Sequence, residues 1–212
     1  MATLGFLRRD FEVFAIDGFS ARMAKIGELV TPRLVRLGKE TAPELSQKLK
    51  MELFPHIAKH MRRTDNPPDE TWVAFGPSRA GYKRYGYLAL CVSPAGIHAR
   101  AVVKADADNR AEIGRLIKLK ANDLEKSFRG TKIQQYKDWD CRELPRSITA
   151  GANFFEELGG ALEKKTGSID VGFGWPVSEA LKLDRAELLD AFRELEPLYR
   201  LFLPGARQKA AL

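Results

Sequence analysis

Near the start of the chain, Met23, Ile26, Val30, Leu34 and Leu37 recur three or four positions apart. That spacing puts them on one side of a helix. Ser20 suits its N-cap and Gly38 its exit. Pro32 lies within the run; it lacks a backbone donor and should kink or split the helix. A second helix is predicted from about Ala42 to Met51. Phe6, Phe11 and Phe14, ahead of both, are expected to anchor the core.

In the middle the period changes from helical to two. Thr71 to Phe75 is a short β run after the breaker Asn66-Pro67-Pro68. Gly86 to Val92 is a second. Ile97 to Lys104 is a third, joined to it by the turn Ser93-Pro94-Ala95-Gly96. In the third run Ile97, Ala99, Ala101 and Val103 should face the core, with His98, Arg100 and Lys104 on the other side. The expected result is an antiparallel sheet with a partly basic open face. Asn109 and Glu112 have capping-box spacing and should start a long helix. Its apolar stripe is Ile113, Leu116, Ile117, Leu124 and Phe128, and Gly130 should end it. Lys132 to Trp139 is a candidate strand. Asn153 to Lys165 should be a helix with Phe154, Phe155, Leu158 and Leu162 inward.

Toward the C-terminus, Ile169, Val171, Phe173 and Trp175 alternate with Asp170, Gly172 and Gly174. A strand here has one bulky and one nearly bare face, open to close approach by a helix or ligand. Asp184 and Glu187 form a further capping box before a helical stripe from Leu188 to Phe202, and Pro197 should kink or restart that helix. These elements predict an α+β fold: one compact domain over residues 1–212, with a central, mostly antiparallel sheet packed by helices from both ends of the chain. Residues 204–212 are expected to form a frayed tail. A chain of 212 residues with 44% hydrophobic and 30% charged positions fits one globular domain.

No secretory leader or membrane span is legible, so a cytoplasmic protein with no membrane partner is expected. Cys91 and Cys141 lack CxxC spacing, and two reduced thiols are expected. Between Phe54 and Lys137 there are 16 Lys/Arg and 8 Asp/Glu, a net of +8; the remainder holds 19 and 20. The whole surplus lies mid-chain, where it would attract phosphates, nucleic acid or acidic proteins or simply keep the protein soluble.

The densest polar stretch runs from Phe54 to Pro68. His56 and His60 would share a side on either a helix or a strand. No Glu stands in the zincin position, however, and Lys59, Arg62 and Arg63 would repel a cation, so no metal is expected. An anion suits these residues better, because adjacent arginines offer forked donors to phosphate or carboxylate. The segment from Arg79 to Tyr85 adds Lys83 and Arg84 interleaved with Tyr82 and Tyr85, a pattern on which bases can stack. The candidate anion surface is therefore His56, His60, Arg62, Arg63, Lys83 and Arg84. Asp138 and Asp140, two residues apart, and the pair Glu156-Glu157 are expected to be exposed. No nucleophile elbow, phosphate loop or dinucleotide fingerprint is present. No catalytic residue or cofactor is assigned.

Several blocks resemble the YktB-like family of uncharacterised bacterial proteins. They are Asp10-Phe11, Phe14, Ile16-Asp17-Gly18 and Arg22-Met23, then Phe54-Pro55-His56, Ala58-Lys59-His60 and Arg62-Arg63-Thr64. Asn66-Pro67-Pro68, Thr71-Trp72-Val73-Ala74-Phe75 and Gly81-Tyr82-Lys83 follow. The resemblance spans nearly the whole chain and implies a compact α+β domain, with no activity, cofactor or catalytic residue attached. The family pattern has Arg before Gly-Tyr-Lys and a His-Phe pair soon after. Ala80 and Tyr87-Leu88 stand here instead, which puts any site built on those positions in doubt.

Three functions remain open. One is a binding module for nucleic acid, a nucleotide or a phosphorylated small molecule. The second is a small enzyme using His56 or His60 as general acid/base beside an Arg-bound anion. The third is an interaction or structural protein without a pocket. Both histidines in a concave pocket with Arg62 would favour the enzyme, an open basic face with exposed Tyr82 and Tyr85 would favour nucleic acid, and a filled surface would favour the third.

Overall fold

The computed structural model describes residues 3–61 and 65–203. Its centre is a seven-stranded, wholly antiparallel sheet. The strands are β1 (Phe54–Ile57), β2 (Thr71–Gly76), β3 (Tyr87–Ser93), β4 (Gly96–Val103), β5 (Lys132–Gln135), β6 (Ile148–Thr149) and β7 (Ile169–Pro176). Their spatial order is β1-β2-β3-β4-β7-β5-β6. The expected runs are present as β2, β3, β4 and β7. The fourth candidate stops at Gln135, so Trp139 lies in a loop. Strand β1 has no alternating apolar signal, and Pro55 confines it to the sheet edge, where its missing donor breaks no ladder.

Register divides the sheet into two faces. Val73, Phe75, Leu88, Leu90, Ile97, Ala99, Ala101 and Val171 point to one side and join the main hydrophobic core. Helices α3 (Thr31–Leu49), α6 (Ala152–Glu163) and α8 (Arg185–Glu194) cover that side, and α4 (Arg110–Leu119) packs on α6. The ring of Phe192 on α8 meets Phe75 edge-on at 5.7 Å. Helices from both ends of the chain therefore cover the sheet, together with two from its middle.

Several helix boundaries depart from the sequence reading. Gly18, not Ser20, precedes α2 (Phe19–Lys25), and a π turn over Ile26–Val30 leads into α3. Pro32 sits in the first turn of α3, where a missing donor costs nothing. Gly38 is no exit. It lies inside α3, and a Cβ there would stand 3.0 Å from Val73 and 3.2 Å from Pro55. The two predicted helices are thus one, ending at Leu49 with Lys50 left-handed at φ 53°. The long helix is instead two, α4 and α5 (Ala121–Ser127), broken at Lys120 ahead of Asn122 and Asp123, which favour helix starts over interiors. Asn109 caps nothing; its amide donates to Phe202 O at 3.3 Å. The Asp184–Glu187 capping box does form, with bonds of 2.9 and 3.0 Å. A short helix α9 (Glu196–Tyr199) restarts at Pro197.

The largest correction concerns the second face. It is not open. His98 and Arg100 are 0% and 1% exposed. Arg100 Nη2 donates to Glu70 at 2.6 Å and Nη1 to Asp170 at 3.4 Å, while its guanidinium lies 4.1 Å from the ring centre of Tyr136 and 5.2 Å from that of Trp139. Lys104 approaches Asp170 at 3.5 Å. The bare strip of β7 is filled by a loop, not a helix: a Cβ on Gly174 would fall within 3 Å of Tyr136, Leu144 and Gln134. Among the described residues, no helix is long and apolar enough to cross a membrane.

Candidate ligand-binding cleft

One cleft of about 790 Å³ opens beside the edge strand. Its first wall is β1 and its continuation, and its second is the loop between β2 and β3. Each wall is pinned at alternate residues and presents those between. On the first, Ala58 N donates to Trp72 O at 2.9 Å, extending the ladder past β1. His60 turns left-handed at φ 49°, lies 3.1 Å from Thr71 Oγ1 and meets Trp72 edge-on at 5.4 Å. Lys59 between them is exposed. His56 Nε2 lies 2.9 Å from Ser78 O. A carbonyl only accepts, so Nε2 carries a proton and the neutral ring keeps Nδ1 as its acceptor.

On the second wall Tyr82 is inserted between His56 and Tyr87, with ring centres 5.7 and 4.7 Å away. Burial pushes its phenol above the ordinary value. Gly86 is overlain by Phe202, whose ring and Cβ would lie 2.4–2.6 Å from a Cβ there. Lys83 and Tyr85 fall between these anchors: Lys83 is exposed and Tyr85 half-buried. Arg84 is exposed but engaged, with Nε and Nη2 reaching Asp108 Oδ2 at 2.8 and 2.7 Å, and Asp108 N donates back to Arg84 O.

The cleft thus brings together His56, His60, Lys83 and Arg84 of the sequence-derived surface. Arg62 and Arg63 lie outside the described residues. Lys59 and Trp72 also line it, and no Asp or Glu does among the described residues. A second cleft, of about 750 Å³, sets Arg8, Arg22 and Arg142 against Glu12, Asp17, Asp69 and Asp140. A third, of about 470 Å³, is likewise mixed in sign.

Most of the mid-chain cations lie elsewhere, and several of them are used structurally. Arg100 is internal. The Arg110 guanidinium donates to Leu162 O and Lys164 O at the end of α6, and Lys118 pairs with Glu163 at 3.0 Å. The excess of +8 is therefore not one patch. Asp138, Asp140, Glu156 and Glu157 are exposed, as expected. Cys91 and Cys141 are buried free thiols, and burial raises both, Cys141 to about 12. Among the described residues no three His, Cys, Asp or Glu gather as a metal site requires.

The sequence reading missed the cluster around Arg100. Its available signal was Asp170, a carboxylate inside an otherwise apolar strand, which costs stability unless a cation faces it.

Comparison with other proteins agrees with the block-by-block resemblance. The chain is 32% identical over 215 residues to a UPF0637 protein of Bacillus velezensis, covering 95% of this chain and 98% of that one. It is 36% identical over 208 residues to a UPF0637 protein of Bacillus licheniformis, covering 95% and 97%. A UPF0637 protein of Lysinibacillus sphaericus is 47% identical over 90 residues, or 42% of this chain and 43% of that one. Residues 6–199 match the family described as Domain of unknown function (DUF1054), and the chain belongs to that family.

Proposed function

We propose that the cleft between β1 and the β2–β3 loop binds a small phosphorylated or otherwise anionic ligand. One observation carries this reading. Lys59 and Lys83, neither in an ion pair among the described residues, share a concave lining with two imidazoles and no carboxylate, beside Arg84, which is paired with Asp108. Cations without an acidic neighbour keep their donors for an incoming anion. The volume falls in the range of small-molecule sites, roughly 300–1,000 Å³. A nucleic-acid polymer is the poorer fit. Tyr82, expected as a stacking platform, is only 9% exposed, and Arg100 and His98 lie inside the protein. The two buried free thiols suit a reducing, cytoplasmic setting.

A second reading, acid/base catalysis, is favoured by one contact. The Ser78 carbonyl orients His56 and leaves Nδ1 as a proton acceptor. His60, 3.1 Å from Thr71 Oγ1, is the alternative base.

The test of binding is calorimetric titration with inorganic pyrophosphate at low salt. Wild type should bind below millimolar concentrations, and Lys59→Ala/Lys83→Ala should lose at least about tenfold, since a hydrogen bond to a charged group contributes roughly 1.5–3 kcal/mol. Failure of wild type to bind pyrophosphate, phosphate or any phosphorylated metabolite below millimolar would leave the cations merely solubilising.

A further inference from the structure

We infer that the ligand is a mononucleotide, with its base against Trp72 and Tyr85 and its phosphates toward Lys59 and Lys83. The inference rests on the anion-binding reading and narrows it. Apart from the cations and imidazoles, the lining is aromatic or aliphatic: Trp72, Tyr82 and Tyr85 with Ile57, Ala58 and Met61. Among the described residues, Ser78 is its one neutral hydroxyl outside the tyrosines, and no Asn, Gln, Asp or Glu lines it. A sugar phosphate or polyol phosphate exposes a row of hydroxyls and needs neutral or acidic partners for them. This lining offers almost none, and hydroxyls left unpaired there are penalised. A flat aromatic ring linked to a polyphosphate matches both halves of the lining, because every base has a π face and stacking on an aromatic side chain tolerates any base.

The two rings are held for this role. Trp72 belongs to β2 and is half-buried, with the His60 ring set perpendicular to it at 5.4 Å between centres. Tyr85 stands between Arg84, tied to Asp108, and Gly86, overlain by Phe202. Tyr82 is packed on His56 and Tyr87, so it supports the wall and offers little free face. Rings positioned before the ligand arrives lose little freedom on binding, which favours affinity. Lys59 and Lys83 rise from opposite walls. A phosphate chain lying between them is bound as a tethered anion rather than along an open track, which is why a free nucleotide fits better than a strand.

Titrations of ADP, UDP, pyrophosphate, ribose 5-phosphate and a ten-nucleotide oligodeoxythymidylate separate the possibilities. ADP or UDP should bind at least about tenfold more tightly than pyrophosphate and ribose 5-phosphate. Tyr85→Ala should remove that preference and leave pyrophosphate affinity unchanged, and Tyr85→Phe should keep it. Ligand-induced quenching of tryptophan emission should vanish in Trp72→Phe, although Trp139 and Trp175 remain. Thermal unfolding of each variant at the wild-type temperature establishes that it is folded. Equal affinity for nucleotides and pyrophosphate would overturn the nucleotide inference and leave anion binding standing. No binding by any of the small ligands would overturn both. An oligonucleotide held more tightly than ADP, with a steep salt dependence, would replace the mononucleotide with a strand.

Discussion

Arg100, on β4, and Lys83, in the loop between β2 and β3, come from the same basic stretch, yet they have opposite fates. Arg100 is 1% exposed and meets two carboxylates and two aromatic rings supplied by three other segments of the chain. Lys83 is exposed, with no carboxylate within 4 Å among the described residues. Both contribute one positive charge to a sequence count. The difference is whether the fold supplies the counter-charge. Where it does, the cation fastens loops to the sheet; where it does not, the cation remains available to something from outside. Arg84, paired on the surface with Asp108, lies between these cases.

The largest test of this contrast is Arg100→Ala. It leaves Glu70 without its cation and Asp170 with Lys104 alone, and removes the surface on which Tyr136 and Trp139 rest. Breaking a buried pair by deleting one partner costs about 3–5 kcal/mol. Urea unfolding should register a loss of that size, and a loss under about 1 kcal/mol would mean that the cluster is not a clamp.

Next comes His98, 0% exposed and 2.8 Å from Ser93 Oγ. Burial, aided by Arg100, holds its pKa well below the ordinary 6.5. The unfolded chain therefore takes up this proton at a higher pH than the folded one does. Stability from this group is complete above about pH 6.5 and falls as pH drops below it, by up to ~1.4 kcal/mol per pH unit. In His98→Gln the slope of stability against pH between about 6.5 and 5 should flatten; an unchanged slope would show that His98 is protonated in the fold. The exposed side of the comparison predicts almost nothing of this kind. Lys59→Ala and Lys83→Ala should each alter unfolding free energy by under about 0.5 kcal/mol while weakening the ligand. A thiol assay gives the smallest signal: Cys91 and Cys141 should resist a disulfide reagent in the native protein, and both should react once it is unfolded without reductant. Protection of either after unfolding would indicate a disulfide.

Periodicity carried β4, β7, α6 and the C-terminal helices, each of which has one wholly apolar face, while an unbroken apolar run marks β3, buried on both faces. It failed where a residue type has two uses. Gly38 reads as a helix exit, but a helix also places glycine where a strand must approach closely, and α3 does so against β2 and β1. Asn109 has the spacing of a cap and instead reaches the far end of the chain. The alternation of His98, Arg100 and Lys104 marks one face of β4, and that face is covered rather than open. What covers it is a loop around Tyr136 and Trp139 and the carboxylates Glu70 and Asp170, none of them adjacent to β4 in sequence. Of the six residues of the candidate surface, the four that are described line one cleft, and whether that cleft is a site is the subject of the binding test. The four come together because they lie in two short segments that flank β2, so local order and spatial order agree. The structural use of Arg100, Arg110 and Lys118 was invisible for the opposite reason.

The seating of Phe202 over Gly86 has a consequence for how the protein is made. The loop bearing Lys83 and Tyr85 leaves the ribosome early, whereas the ring that overlies it is among the last described residues to be synthesised. At typical elongation rates of ~5–20 residues per second, the interval between them is on the order of ten seconds. During that time the nascent chain carries a half-built cleft. The finished cleft is therefore a property only of a translated chain that includes Phe202, and a truncation product ending before it would keep the cleft's side chains yet lack the ring that overlies Gly86.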